Sequence, residues 1–383
     1  MRILTVLTYY RPYTSGLTIY AERLAKALAN RGHQVTVLTS HYQKDLPYEE
    51  VQDGVRIVRS PVLFRVSKGV VMPTFGLIAN RLVLENDLIQ IHLPQFDAAG
   101  IALLGHILNR PSVVTYHCDL QMPPGLLNWG ANQVVLVMNH LTARLTDKIV
   151  TYTQDYADHS TYLKGYLDKL KVILPPVELP LVSPDQVETF QQKYNPNRRF
   201  PVVGMAARFA TEKGVEVLLG ALPKIIEAYP QTLVLFAGPY ENIIGEEPYY
   251  HRLSPLIQKY QASGNWKFTG VLDPKQMATF YPNLDALTIP SLNSTEAFGL
   301  VQIEALLNDV PSVVSDLPGV RQPVKTHQMG KIIPVGDSQA LATALIDVLA
   351  HRDLFHIDRL NVIQSYLPDQ IAERYEDLFS ELL

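Results

Sequence analysis

Two glutamates with seven residues between them, Glu296 and Glu304, stand in the stretch 290–308, PSLNSTEAFGLVQIEALLN. A carboxylate can accept hydrogen bonds from two neighbouring hydroxyls, and between these two lie Ala297, Phe298, Gly299 and Leu300, where the glycine lets a ligand approach free backbone N–H groups. Such a site suits a ligand with hydroxyls at both ends and phosphate in the middle. A second group is Arg208 with Lys213 and Gly214. Arginine chelates phosphate oxygens bidentately and lysine adds a compact charge, so together at a helix start they suit a diphosphate.

The elements that must carry these residues follow from pattern. An apolar run ends at Pro290, polar Ser291, Asn293, Ser294 and Thr295 follow, and Leu300, Ile303 and Leu307 then recur at helical spacing, which predicts strand, loop and helix. The same alternation opens the chain, with a strand at 3–8, a helix at 18–30 and a strand at 34–39. The loop between them places Gly16 near a helix N-terminus, where it either faces a ligand or only shapes a turn. No G-x-G-x-x-G is present, which removes the main support for a dinucleotide-binding dehydrogenase. Further strands are expected at 55–59, 88–92, 112–117, 148–153 and 171–174, giving six or seven parallel strands. The segment 174–180 carries three prolines in seven residues and reads as a linker. Beyond it strands are expected at 201–207, 232–237, 266–269, 286–289 and 312–315.

The reading is α/β: two doubly wound Rossmann-like domains, 1–177 and 178–365, facing each other across a cleft, with ligands at the carboxyl ends of the strands. The helix 369–383 is long enough to brace one domain against the other, so that 366–383 crosses back onto the first. A length of 383 residues, 47% of them hydrophobic, accommodates two cores. The net charge of −4 argues against a nucleic-acid partner. Residues 1–177 carry 17 basic against 13 acidic side chains, and residues 178–383 carry 16 against 24. A lone cysteine, Cys118, excludes an intrachain disulfide and fits a reducing compartment. The start shows no export signal, and the uncharged stretch 120–143 is broken by Pro123, Pro124 and Gly125. A cytoplasmic protein is expected, resting at most on the inner face of a membrane.

The E-x7-E segment Glu296 to Glu304, with Arg208, Lys213-Gly214, the strand end Phe236-Ala237-Gly238, Phe268-Thr269-Gly270-Val271 and Arg31-Gly32-His33-Gln34-Val35, resembles the GT-B-fold retaining glycosyltransferases of the family 4 type. The match spans nearly the whole chain. The resemblance implies a nucleotide-diphospho-sugar co-substrate and no prosthetic group. Arg208 and Lys213 would hold the diphosphate, and the amides of Phe298, Gly299 and Leu300 would bond phosphate or sugar. Glu296 would take the transferred hexose and Glu304 the ribose, with backbone near Val271 facing the base. The family also carries a histidine at a strand end facing the donor sugar, a position that His117 fits. Asp119 either caps the next segment or orients His117. Two departures stand out: the glycine pair of the first loop is reduced to Ser15-Gly16, and Ala297 follows the first glutamate where proline or glycine is frequent.

No D-x-D triplet occurs, so no metal is expected at the diphosphate, and cations with a helix N-terminus take its place. Retention is read as same-face attack, with His117 positioning the sugar. UDP-hexose is the favoured donor and GDP-mannose the other. For the acceptor, residues 54–84 hold no acid but five basic residues, Arg56, Arg59, Arg65, Lys68 and Arg81, among apolar ones. With Met122, Leu126, Leu127 and Trp129 after His117, they point to a lipid-linked or glycan acceptor and an anionic membrane surface. Two buried helices with a solvated face would read the same way. The competing functions are a nucleotide-sugar epimerase on this fold and a non-catalytic nucleotide-sugar-binding protein.

Overall fold

A computed structural model describes residues 1–66, 69–121, 126–243, 245–355 and 359–383, with backbone alone at 66, 126–129, 131 and 359–361. The chain forms two compact units, Met1–Val177 with Gln364–Leu383, and Glu178–Ile363.

In the first unit the strands are β1 (Arg2–Val6), β2 (Gln34–His41), β3 (Glu49–Gln52), β4 (Val55–Pro61), the pair β5 (Phe64–Val66) and β6 (Gly69–Val71), then β7 (Leu88–Leu93), β8 (Ser112–Tyr116), β9 (Lys148–Thr151) and β10 (Leu170–Val172). Eight of them make one sheet in the order β10-β9-β8-β7-β1-β2-β4-β3. Seven run parallel, and β3 lies antiparallel on the edge against β4. That edge strand escapes the expected six or seven because its sequence, EEVQ, has no apolar run and is mostly exposed. Charge on an exposed edge also discourages pairing with another chain. The interior strands read as continuous apolar runs, as a parallel sheet covered on both faces requires; β7 and β8 are buried at every position.

The first helix begins at Gly16, two residues before its expected start, because Ser15 is its N-cap and accepts from the Thr18 N–H at 3.2 Å. The final helix, Pro368–Ser380, belongs to this unit and buries Ile371, Tyr375 and Phe379 completely. The Tyr375 hydroxyl lies 2.7 Å from that of Tyr20 and 2.9 Å from Thr115 Oγ1. On the outer side Arg31 grips Glu376 at 2.7 Å and Asp369 at 2.9 Å.

In the second unit the strands are β11 (Val202–Ala206), β12 (Leu233–Ala237), β13 (Trp266–Gly270), β14 (Ala286–Ile289), β15 (Ser312–Ser315) and β16 (Gly330–Ile333). All pair parallel in the order β13-β12-β11-β14-β15-β16. The sixth strand, opening on Gly330 and only four residues long, has no counterpart among the expected ones. Helices Val215–Ala228 and Ser338–Ala350 pack together over one core, with Leu218, Leu222, Leu341 and Leu345 fully buried. Strand order reverses beside β1 in the first sheet and beside β11 in the second, and the carboxyl ends of strands flanking such a point are where this architecture takes ligands.

Removing the Tyr375 hydroxyl leaves two buried oxygens to find new partners. Tyr375→Phe is expected to lower stability by about 1–2 kcal/mol, read as a lower denaturation midpoint with an unchanged slope.

Candidate active site

The second sheet reverses between β11 and β14, and both sequence-marked segments leave the sheet there. After β11 come Arg208, a single 3-10 turn Thr211–Lys213 and Gly214, which begins the helix Val215–Ala228. After β14 comes the loop that carries Glu296 and leads through Gly299 into the helix Leu300–Leu306. The two loops are bonded to each other, the Leu292 N–H donating to the Glu212 carbonyl at 2.9 Å. They run so close that a Cβ on Gly214 would stand 2.0 Å from the Pro290 carbonyl oxygen, and Gly214 is left-handed at φ +68°. Only glycine meets both demands.

This approach brings Lys213 Nζ to 2.7 Å from Glu296 Oε2, with side chains 18% and 19% exposed. Beside them Arg208 meets Glu212 at 2.5 Å. The four charges therefore alternate in sign. Burial works against the charge of Lys213, but the carboxylates of Glu296 and Glu212 more than offset it and raise its pKa. Burial likewise disfavours ionised Glu212, yet Arg208 and Lys213 prevail and hold it below the usual carboxylate range. Thr211 is fixed from behind by Glu246, which accepts from its N–H and hydroxyl at 3.0 and 2.9 Å.

Glu304 is not the solvated helix carboxylate that its sequence neighbourhood permits. It is 5% exposed and accepts from the buried Tyr281 hydroxyl at 2.6 Å. Ala297 and Phe298 are buried, Leu300 is half-buried, and Gly299 is left-handed at φ +76°. Gln302 anchors the turn, its amide donating to the carbonyls of Phe298 and Val320 at 2.5 and 3.0 Å. Gly238, at the end of β12, sits where a Cβ would come 2.1 Å from the Ala207 carbonyl oxygen. Val271, just beyond β13, is 59% exposed. Thus Arg208, Lys213 and Glu296 are brought together, while Gly238 and Val271 follow flanking strands of the same sheet and Glu304 lies within the helix Leu300–Leu306. Tyr281, Glu246 and Gln302 were not marked by sequence, since each is a common residue whose importance comes from a long-range partner.

In the first unit, His117 follows β8 and is 6% exposed. Its Nε2 lies 2.8 Å from Nδ1 of His92, on β7, and its Nδ1 meets the Tyr152 hydroxyl. Burial drives the pKa of His92 down to about 3, and burial together with His92 drives that of His117 well below the ordinary value. Both rings are neutral near pH 7. Asp119 accepts from the hydroxyls of Tyr116 and Ser160, each at 2.7 Å, which ties the segment after β8 to its neighbours. Gly16 has nothing within 4 Å of where a Cβ would stand, so no close packing demands glycine there.

The expected basic surface is corrected at Arg59, which is 2% exposed. It points inward from β4, pairs with Glu50 on β3 at 2.5 Å and donates to the carbonyls of Pro47 and Arg11 at 2.9 and 3.2 Å. Arg56 is engaged too, by Glu49 at 2.6 Å and Glu85 at 3.0 Å. Arg65 is exposed and donates to the Tyr42 carbonyl. Lys68 lies outside the described residues, as does the side chain of Trp129. The helix Leu126–Leu145 instead exposes Val134, Val137 and Leu141. Among the described residues no helix is long and apolar enough to cross a membrane, and no group of three His, Cys, Asp or Glu is placed to hold a metal ion.

Residues 14–180 match Glycosyltransferase Family 4 and residues 186–364 match the glycosyl transferases group 1. The chain is a group 1 glycosyltransferase of the family 4 type. An uncharacterized glycosyltransferase of Methanocaldococcus jannaschii is 24% identical over 99% of this chain and 98% of its own length. A phosphatidyl-myo-inositol mannosyltransferase of Mycobacterium leprae is 26% identical over 91% of this chain and 87% of its own. Among solved structures, Anabaena HepE in complex with UDP-glucose superposes with a TM-score of 0.79 at 20% identity, covering 100% of both chains. The glycosyltransferase thus has the GT-B fold class, built from two Rossmann-like units.

The neutral histidines carry a pH dependence whose sign is fixed. In the unfolded chain His92 takes up a proton near pH 6.5, but in the folded one only near about 3. Its contribution to stability is therefore complete above 6.5 and declines as pH falls from there toward 3, by at most about 1.4 kcal/mol per pH unit. His92→Leu is expected to flatten this slope between pH 6 and 4, measured as unfolding free energy against pH.

Proposed function

We propose that this glycosyltransferase moves a hexose, with retention, from a nucleotide-diphospho-sugar to a hydroxyl of a glycolipid, lipid or glycan. The observation that carries the reading is the meeting of Lys213 and Glu296 at the switch point of the second sheet, with Arg208 alongside. A diphosphate arriving there takes over the cations from Glu212 and Glu296, and Glu296, released from Lys213, turns to the hexose hydroxyls. Glu304 takes the ribose, exchanging or sharing the Tyr281 contact. The amides of Phe298, Gly299 and Leu300 bond phosphate or sugar, and exposed Val271 flanks the base. UDP-hexose is the favoured donor, with GDP-mannose second; a UDP-glucose complex of HepE and the mannosyltransferase name of the mycobacterial relative support these two in turn.

In the reaction the bond from the anomeric carbon to the leaving phosphate oxygen breaks and the bond to the acceptor oxygen forms on the same face. The acceptor proton passes to the departing phosphate. Arg208 and Lys213 stabilise the charge that develops on the diphosphate. His117 positions the hexose and is no base, a reading supported by the engagement of both its ring nitrogens in hydrogen bonds. Glu296→Gln is expected to cut turnover at least about 100-fold with little loss of nucleotide affinity, and unchanged turnover overturns the assignment. Release of nucleotide from UDP-glucose and GDP-mannose, with and without acceptor, separates transfer from epimerisation and from binding alone.

An acceptor with a lipid part is supported by exposed Val134, Val137 and Leu141 and by exposed Leu63, Phe64 and Leu77. Contact with the inner face of an anionic membrane then brings enzyme and acceptor together in the cytoplasm. Co-sedimentation with phosphatidylglycerol-containing liposomes in low salt is the expected result, and its absence counts against a membrane-bound acceptor.

A further inference from the structure

His92 has no part in the roles given above, yet its hydrogen bonding is unusually constrained. Its ring lies 5.1 Å from that of His117, tilted by 29°, and is 1% exposed. Nδ1 is bonded to Nε2 of His117 at 2.8 Å, whereas Nε2 is buried without a hydrogen-bond partner. A neutral imidazole carries one N–H and one lone pair, so protons along Tyr152, His117 and His92 can be counted. If His92 is protonated at Nε2, a buried N–H has no acceptor. If it is protonated at Nδ1, that N–H is spent on His117 and only a lone pair is left unmatched. An orphaned buried N–H is the rarer of the two, so the second arrangement wins. It then obliges His117 to accept at Nε2 and to carry its own proton at Nδ1, on the side of Tyr152.

We propose that His92 is a positioning residue for glycosyl transfer: by donating from Nδ1 to Nε2 of His117, it fixes that histidine in the Nδ1–H tautomer and holds its ring in one orientation. This rests on the reading of His117 as the residue that positions the hexose. The consequence is chemical. The one lone pair of His117 is occupied by His92, so His117 can offer a sugar oxygen only an N–H, at Nδ1, and cannot take a proton from the acceptor. Tyr152 is the group whose hydroxyl meets that N–H, and a sugar hydroxyl would share or exchange with it.

The test uses the full chain labelled with 15N-histidine. Long-range 1H–15N correlations are expected to report His117 protonated at Nδ1, and a wild-type spectrum with His117 protonated at Nε2 overturns the proposal without any variant. In His92→Asn the side-chain amide nitrogen stands as many bonds from Cα as Nδ1 does, so the donor is kept and the tautomer with it. His92→Leu removes the donor and is expected to move His117 toward the Nε2–H form. Turnover should fall about 10- to 100-fold in His92→Leu, with KM for the nucleotide sugar within about twofold, and recover most of the loss in His92→Asn. Equal loss in both variants reduces His92 to packing and overturns the proposal. His117→Ala with undiminished turnover would instead overturn the reading of His117 and leave the tautomer result standing.

Discussion

The second unit of this glycosyltransferase depends on two loops touching where its sheet reverses its strand order. One hydrogen bond, from Leu292 to the Glu212 carbonyl, and one close passage, Gly214 under the Pro290 carbonyl, hold the loops after β11 and β14 together. Everything ionic at the site follows from that. Lys213 cannot reach Glu296 unless the backbones are within this distance, and Arg208 and Glu212 complete an alternating row of charges. As a stabilising device the row is modest, since partly exposed ion pairs contribute about 1 kcal/mol or less. Its effect is on charge placement. Local carboxylates hold both cations in place, so that under the proposed function a diphosphate meets them already ordered.

Much of this was legible in sequence, for a physical reason. A doubly wound sheet puts its chemistry at strand ends, so a polar loop following an apolar run and leading into a helical repeat marks its own position. Glu296, Arg208 and Lys213 were marked as candidates in that way, and the family resemblance added His117, Gly238 and Val271. What sequence could not supply were partners distant in the chain. Tyr281 beneath Glu304, Glu246 behind Thr211 and His92 beside His117 are ordinary residues in ordinary contexts, and only the fold pairs them. Arg59 failed in the opposite sense. Read in a basic, apolar stretch it looked like surface, but strand alternation turned it inward and the acidic edge strand, itself invisible as a strand, supplied Glu50 to neutralise it.

The first unit solves a different problem, that of keeping polar groups inside a parallel sheet. Thr5, Gln90 and Thr115 line neighbouring interior strands, with Thr5 and Thr115 each 3.3 Å from the Gln90 amide. Tyr20, Tyr375, His92, His117 and Tyr152 continue polar contacts toward the carboxyl ends of the strands. A buried network rigidifies a core only when its members are satisfied. Here the imidazole nitrogen without a partner sits at the end of the row, on His92.

The same network has a bearing on how the chain is made. Tyr375, Ile371 and Phe379 are wholly interior to the first unit, yet they are encoded after the entire second unit. During synthesis the N-terminal half leaves the ribosome early, and its hydrophobic seat for the final helix stays open while the later residues are translated. The second unit, contiguous in the chain, has all its strands before the last helix appears. The half that is born first therefore cannot complete its core until this thirteen-residue helix has been made, after every strand of the second unit.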